Sequence, residues 1–150
     1  MHQTALILPL LVGILITALT VLAHAIFVAS VVRLFRRQLR LELVGSGFWI
    51  DTAIVMSVVL LALAAHLAEI ALWAVFFTIL GEFPDFEMSF YHSAVNYTTL
   101  GYGDVIMSSK WKTLGPIEAA DGMLMFGVSA AIVFAVIQRM VRARYSDLDE

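Results

Sequence analysis

Three long apolar runs divide the chain, from Ala5 to Val32, Phe48 to Leu80 and Gly115 to Ile137. Each reaches the length of about 20 residues that a helix needs to cross a bilayer, so three spanning helices are predicted. The second run is overlong, and around a centre at Ile54 to Phe77 it has to tilt or project beyond the hydrocarbon. Arg33, Arg36, Arg37 and Arg40 stop the first run, and Arg139, Arg142 and Arg144 follow the third. Arginines collect on the cytoplasmic side of a membrane, which with three crossings puts the N-terminus outside and the C-terminus in the cytoplasm. The stretch between the second and third runs then lies on the outer side.

Two details of the first run need separate readings. Ala23-His24-Ala25 has the small-x-small form of a cleavage site, but no Lys or Arg precedes the run and it continues to Val32. It is therefore read as a retained membrane helix, not a secretory signal. Leu34 to Val44 mixes arginines with Leu34, Phe35, Leu39, Leu41 and Leu43, which suits either an amphipathic helix at the inner leaflet or a plain connector.

Between the second and third spans, Pro84 and Asp85 mark a helix start, with Asp85 as N-cap and Glu87 in the first turn. A short helix is predicted from Phe86 to about Tyr97, and its carbonyl end carries the negative pole of the helix dipole. Next in the chain comes Thr98-Thr99-Leu100-Gly101-Tyr102-Gly103-Asp104, a polar stretch with alternate glycines. Glycine admits left-handed backbone, so the carbonyls of 101 and 103 can turn toward one axis, and Thr99 adds a hydroxyl ligand. A ring of such carbonyls can replace the hydration shell of a cation. One strand cannot surround an ion, so an assembly of several identical chains is expected.

Thr99, Leu100, Gly101, Tyr102 and Gly103, followed by Asp104, fit the Thr-x-Gly-Tyr-Gly pattern, and over Ile50 to Arg142 the chain resembles the pore-loop potassium channels. Leu100 stands where that family more often has Val or Ile. The resemblance implies K+ coordination at Thr99, Leu100, Gly101 and Tyr102, with Thr98 and Gly103 completing the filter and Asp104 at its mouth. It also implies that Tyr91 and His92 support the filter, where family members often carry two tryptophans, and that Gly127 lies near a hinge position. Residues outside the spans, among them Glu82, Asp85 and Glu87, are read with Glu118 and Asp121 as an acidic outer surface.

Composition agrees with a membrane protein: 61% of residues are hydrophobic and 14% charged, against about 25% charged in soluble domains. The formal charge of −3 gives no basis for nucleic-acid binding, and with no cysteine there is no disulfide, thiolate metal site or cysteine nucleophile. No spanning run carries an arginine ladder, so voltage sensing by such a helix is not expected. No nucleophile and base converge, and an enzyme is not expected.

The ionisable residues inside the spans remain. His66 and Glu69 share a helical face with Trp73, either as a hydrogen-bonded pair that fixes packing or as a proton or ligand sensor. His24 lies about nine residues from Arg33, or roughly 13 Å, and His66 about 16 residues from the inner end of the second run, or roughly 24 Å, at 1.5 Å per residue. A metal site joining His24, His66 and Glu69 is thus not expected. Gly115-Pro116 suits a helix start, and Gly127 serves either as a hinge or as a packing glycine.

The resulting expectation is an all-α membrane protein with three transmembrane helices, a re-entrant pore helix and a selectivity filter. Residues 1–47 form an N-terminal helix and basic linker, 48–144 a pore domain and 145–150 a short acidic tail. The expected function is passive K+ conduction by a homotetramer in the plasma (inner) membrane, with lipid and its own copies as partners and no cofactor besides the permeant K+. Alternatives are a weakly selective cation channel and a non-conducting scaffold of the same fold.

Overall fold

The computed structural model describes residues 2–145, with side chains described over 6–144. Its order is α1 (His2–Arg40), α2 (Phe48–Ile79), α3 (Phe86–Tyr97) and α4 (Leu114–Tyr145). The described chain is all-α. Helices α1, α2 and α4 are each long and apolar enough to cross a membrane, whereas α3 has only 12 residues.

The boundaries differ from the sequence reading where apolar runs end before helices do. Helix α1 continues unbroken through Leu34, Phe35 and Leu39 to Arg40, so no separate element begins at Leu34. Arginine, glutamine and leucine all have good helix propensity, and the charged last turn of α1 also suits its negative dipole end. The same logic carries α4 past Ile137 to Tyr145. The acidic tail beyond Tyr145 lies outside the described residues.

Helix α1 packs against α2 and α4, and α3 is held between α2 and α4. The buried positions of α1 are Pro9, Gly13, Ile16, Thr20, His24, Phe27 and Val31, a stripe that repeats every three or four residues. That spacing is one face of a helix. The opposite face, including Ile14, Leu22 and Ile26, is exposed on the chain.

Two apolar clusters fill the interior. One joins Ile16, Trp73, Phe77, Tyr97, Trp111 and Leu114 around α3, and the other joins Phe27, Val31, Ile54, Val58, Val136 and Met140 toward the arginine-bearing ends. His24, His66, Glu69 and Ser129 lie between these clusters in sequence on every spanning helix, and all four are buried.

The contact between α4 and the end of α3 depends on Gly122. A Cβ there would lie 2.0 Å from the Tyr97 carbonyl oxygen and 2.9 Å from its carbon, so only glycine allows the two backbones to meet. A Cβ on Gly127 would meet nothing within 4 Å, and within one chain Gly127 is therefore not a packing glycine. Gly122→Ala is expected to lower unfolding stability in detergent by about 1–3 kcal/mol, the usual range for overpacking. Gly127→Ala should change the same denaturation midpoint little or raise it slightly, since alanine is the better helix former.

Candidate functional site

Local sequence sets the start of α3. Asp85 adopts extended backbone and its carboxylate accepts from the Met88 amide at 2.8 Å, satisfying one of the unpaired donors of the first turn.

At the other end the chain turns sharply. The Thr99 amide donates to Asn96 O at 2.8 Å and the Leu100 amide to Val95 O at 3.0 Å, the paired bonds of a Schellman C-cap. The residue that must turn left-handed in this cap is Thr99, with φ 61°. Positive φ is uncommon for a β-branched residue, and residue preference alone assigns the unusual dihedrals to the glycines. Gly101 and Gly103 follow at φ 61° and 72°, so left-handed backbone recurs at every second residue from 99 to 103. Alternation of this kind allows successive carbonyls to be turned the same way. The amides of Thr98, Thr99, Leu100 and Gly101 all bond back to carbonyls of α3. Among the described residues no donor reaches the carbonyls of Leu100, Gly101, Tyr102 or Gly103.

The segment after these residues is anchored from α3. The Tyr91 hydroxyl donates to Asp104 at 2.6 Å. This bond holds the Asp104 carboxyl below its ordinary range and pushes the Tyr91 phenol up. His92 donates from Nδ1 to the Val105 carbonyl at 2.9 Å, which leaves Nε2 to accept from Asn96 at 2.7 Å. Both pore-helix residues thus hold positions 104 and 105. The Tyr102 side chain is 67% exposed on the single chain. Farther out, Glu82 accepts from the Ser108 amide and hydroxyl, both at 2.7 Å, tying the end of α2 to the return loop.

Behind α3 lies a buried polar layer. Glu69, fully buried, accepts from His24 Nδ1 at 2.8 Å, from the Tyr97 hydroxyl, and from His66 Nδ1 at 3.3 Å. Ser129 Oγ lies 3.1 Å from His66 Nε2 and 3.4 Å from His24 Nε2. The expected difference in depth between His24 and His66 is therefore wrong: their rings are 5.5 Å apart. Arg33 is the wrong origin for depth, because α1 ends at Arg40, which places His24 about 24 Å from the helix end at 1.5 Å per residue. Counted on the same rise from Phe48, His66 lies at about 27 Å.

The acids of α4 also depart from expectation. Glu118 and Asp121 are buried, at 0% and 2% exposure, not part of an outer surface. Glu118 accepts from Ser93 of α3, and Asp121 accepts from Thr20 at 2.6 Å and from the Trp73 indole at 3.0 Å. Thr20, Ser93 and Ser129 carry no signal on their own. Thr20 with His24 and Glu69 with Trp73 do fall at i,i+4, which marks the inward face of each helix.

His92 provides a pH test. Burial pushes its imidazole below the ordinary value, so the unfolded chain takes up a proton where the folded chain resists it. Its contribution is complete above about pH 6.5 and is lost as the pH falls from there. The thermal midpoint of the purified protein should fall between about pH 7 and pH 5, and His92→Gln, which keeps a donor and an acceptor, should flatten that part of the profile.

A family model described as ion channel matches residues 54–139, from α2 through α3 to the last turns of α4. No curated protein and no solved structure matches the chain. The family match spans more than half of the sequence, and the chain therefore belongs to this ion-channel family and is an integral membrane protein.

Proposed function

We propose that the chain forms a potassium-selective channel, four copies surrounding one axis with the backbone of Thr99 to Gly103 as the ion-coordinating filter. The observation that carries this reading is the recurrence of left-handed backbone at Thr99, Gly101 and Gly103 directly beyond the carbonyl end of α3. Carbonyls free of internal donors, on backbone that allows them to turn one way, are suited to a dehydrated cation, and non-helical backbone at membrane depth is tolerated where it lines a cavity. The negative end of the α3 dipole favours a cation below the filter, and the ionised Asp104 favours one above it. Tyr102, exposed on one chain, acquires packing from a neighbouring copy in such a ring.

The membrane orientation in this reading has the N-terminus outside and the arginine-bearing ends of α1 and α4 in the cytoplasm, in the plasma (inner) membrane. Gly127 lies on a face of α4 with no neighbour in its own chain, which suits a bending point in a pore-lining helix.

Flux from liposomes loaded with K+ or Na+ tests the selectivity. Gly101→Ala should cut K+ flux at least about tenfold, since left-handed backbone costs a residue with Cβ roughly 1–2 kcal/mol in each chain and 1.4 kcal/mol is tenfold. Tyr102→Asp should lower the K+/Na+ permeability ratio. Equal wild-type permeability to both ions would establish the weakly selective alternative, and no flux at all the scaffold. Native mass spectrometry is expected to give tetramers, and a cysteine at position 2 should label from outside only. Dimers, or labelling only from the cytoplasm, would contradict the arrangement.

A further inference from the structure

We propose that His24, His66 and Glu69 form a site for a divalent transition-metal ion, with zinc as the best fit. Each offers one ligand atom, an imidazole nitrogen from each histidine and a carboxylate oxygen from Glu69; these lie within 4.8 Å of one another, and all three residues are buried. A tetrahedral zinc with bonds of about 2.0–2.1 Å holds its ligands about 3.3 Å apart. His24 Nδ1 stands 2.8 Å from Glu69 Oε1 and His66 Nδ1 3.3 Å from Oε2, and the ligand atoms have to close from at most 4.8 Å to the tetrahedral spacing. The Tyr97 hydroxyl, 3.2 Å from His66 Nδ1, lies beside the same cluster.

The donor set selects the metal class. Imidazole and carboxylate suit zinc, cobalt and their neighbours, whereas magnesium and calcium require many oxygens that this cluster lacks.

Hydrogen-bond accounting supports the same assignment. In a metal-free layer with neutral histidines, each Nδ1 must carry a proton to donate to Glu69. Both Nε2 lone pairs then face Ser129, whose hydroxyl has a single proton, and one is left without a donor. Coordination through Nδ1 reverses this. Each Nε2 then carries the proton, and the two lone pairs of Ser129 Oγ accept both, as the outer partners of metal-bound histidines commonly do. A second carboxyl group, Asp121, is hydrogen-bonded to Thr20 and Trp73, which lie one helical turn from His24 and Glu69. One extra proton on the histidine pair is the competing way to fill the deficit at Ser129.

Cobalt separates the two. Wild-type protein in detergent, stripped with chelator and titrated with Co2+, is expected to give the intense visible absorption of four-coordinate cobalt at one ion per chain, and Zn2+ should bleach it. This measurement requires no variant to fold. His24→Gln and His66→Gln, checked for assembly by gel filtration, should abolish the band. Ser129→Ala should keep the band but weaken zinc binding by about ten- to a hundredfold. If wild-type protein gives only the weak spectrum of hydrated cobalt, the layer holds a proton and the metal site is wrong. A full-strength band in His24→Gln would overturn the assignment equally.

Discussion

The end of α3 must be fixed between α2 and α4, and the rest of the structure depends on that constraint. Tyr97 meets it from two sides. Its hydroxyl donates to Glu69 on α2, and its carbonyl is pressed against Gly122 on α4. The residue is fully buried and lies two positions before the left-handed turn at Thr99. A rigid pivot at this point sets where the segment from Thr98 to Gly103 begins and which way it leaves the helix.

Burial of Glu69 explains why α1 is an integral part of this fold. An unpartnered carboxylate in the hydrocarbon costs several kcal/mol, and a carboxylate with four lone-pair sites accepts more donors than α2 alone can supply. α1 supplies His24, α2 His66 and α3 Tyr97. α1 adds Thr20 to the separate tie on Asp121. The three spanning helices are thus crosslinked by polar contacts at the level where lipid offers no competing partner, with apolar clusters on both sides excluding water.

Much of this is legible in the sequence. The three spans, the limits of α3 and the Asp85 cap follow from length, hydropathy and capping chemistry, and each is where the residues put it. Which face of each span turns inward is hidden, because a bilayer accepts apolar side chains on every side and so erases the usual amphipathic pattern. Only polar residues mark the inner face, and Thr20, His24, Glu118, Asp121 and Ser129 do so when taken together. Depth fails for a different reason: Arg33 ends the apolar run but not the helix. Thr99 invites attention for its hydroxyl while its backbone does the less expected thing, since no residue-level preference foretells a threonine at φ 61°.

At the opposite end of the molecule, one local and two long-range contacts converge. Asp51, in the first turn of α2, accepts from the Gly45 amide at 2.9 Å and pairs with Arg144 at 3.0 Å, while Gly45, at φ 81°, lies against the backbone of Ala143. The last turn of α4 is therefore latched to the α1–α2 hairpin of its own chain. α4 cannot swing outward alone without parting an ion pair and a backbone contact together. The hairpin and the helix end make one mechanical unit, so a force on the 41–47 connector is delivered directly to the last turn of α4.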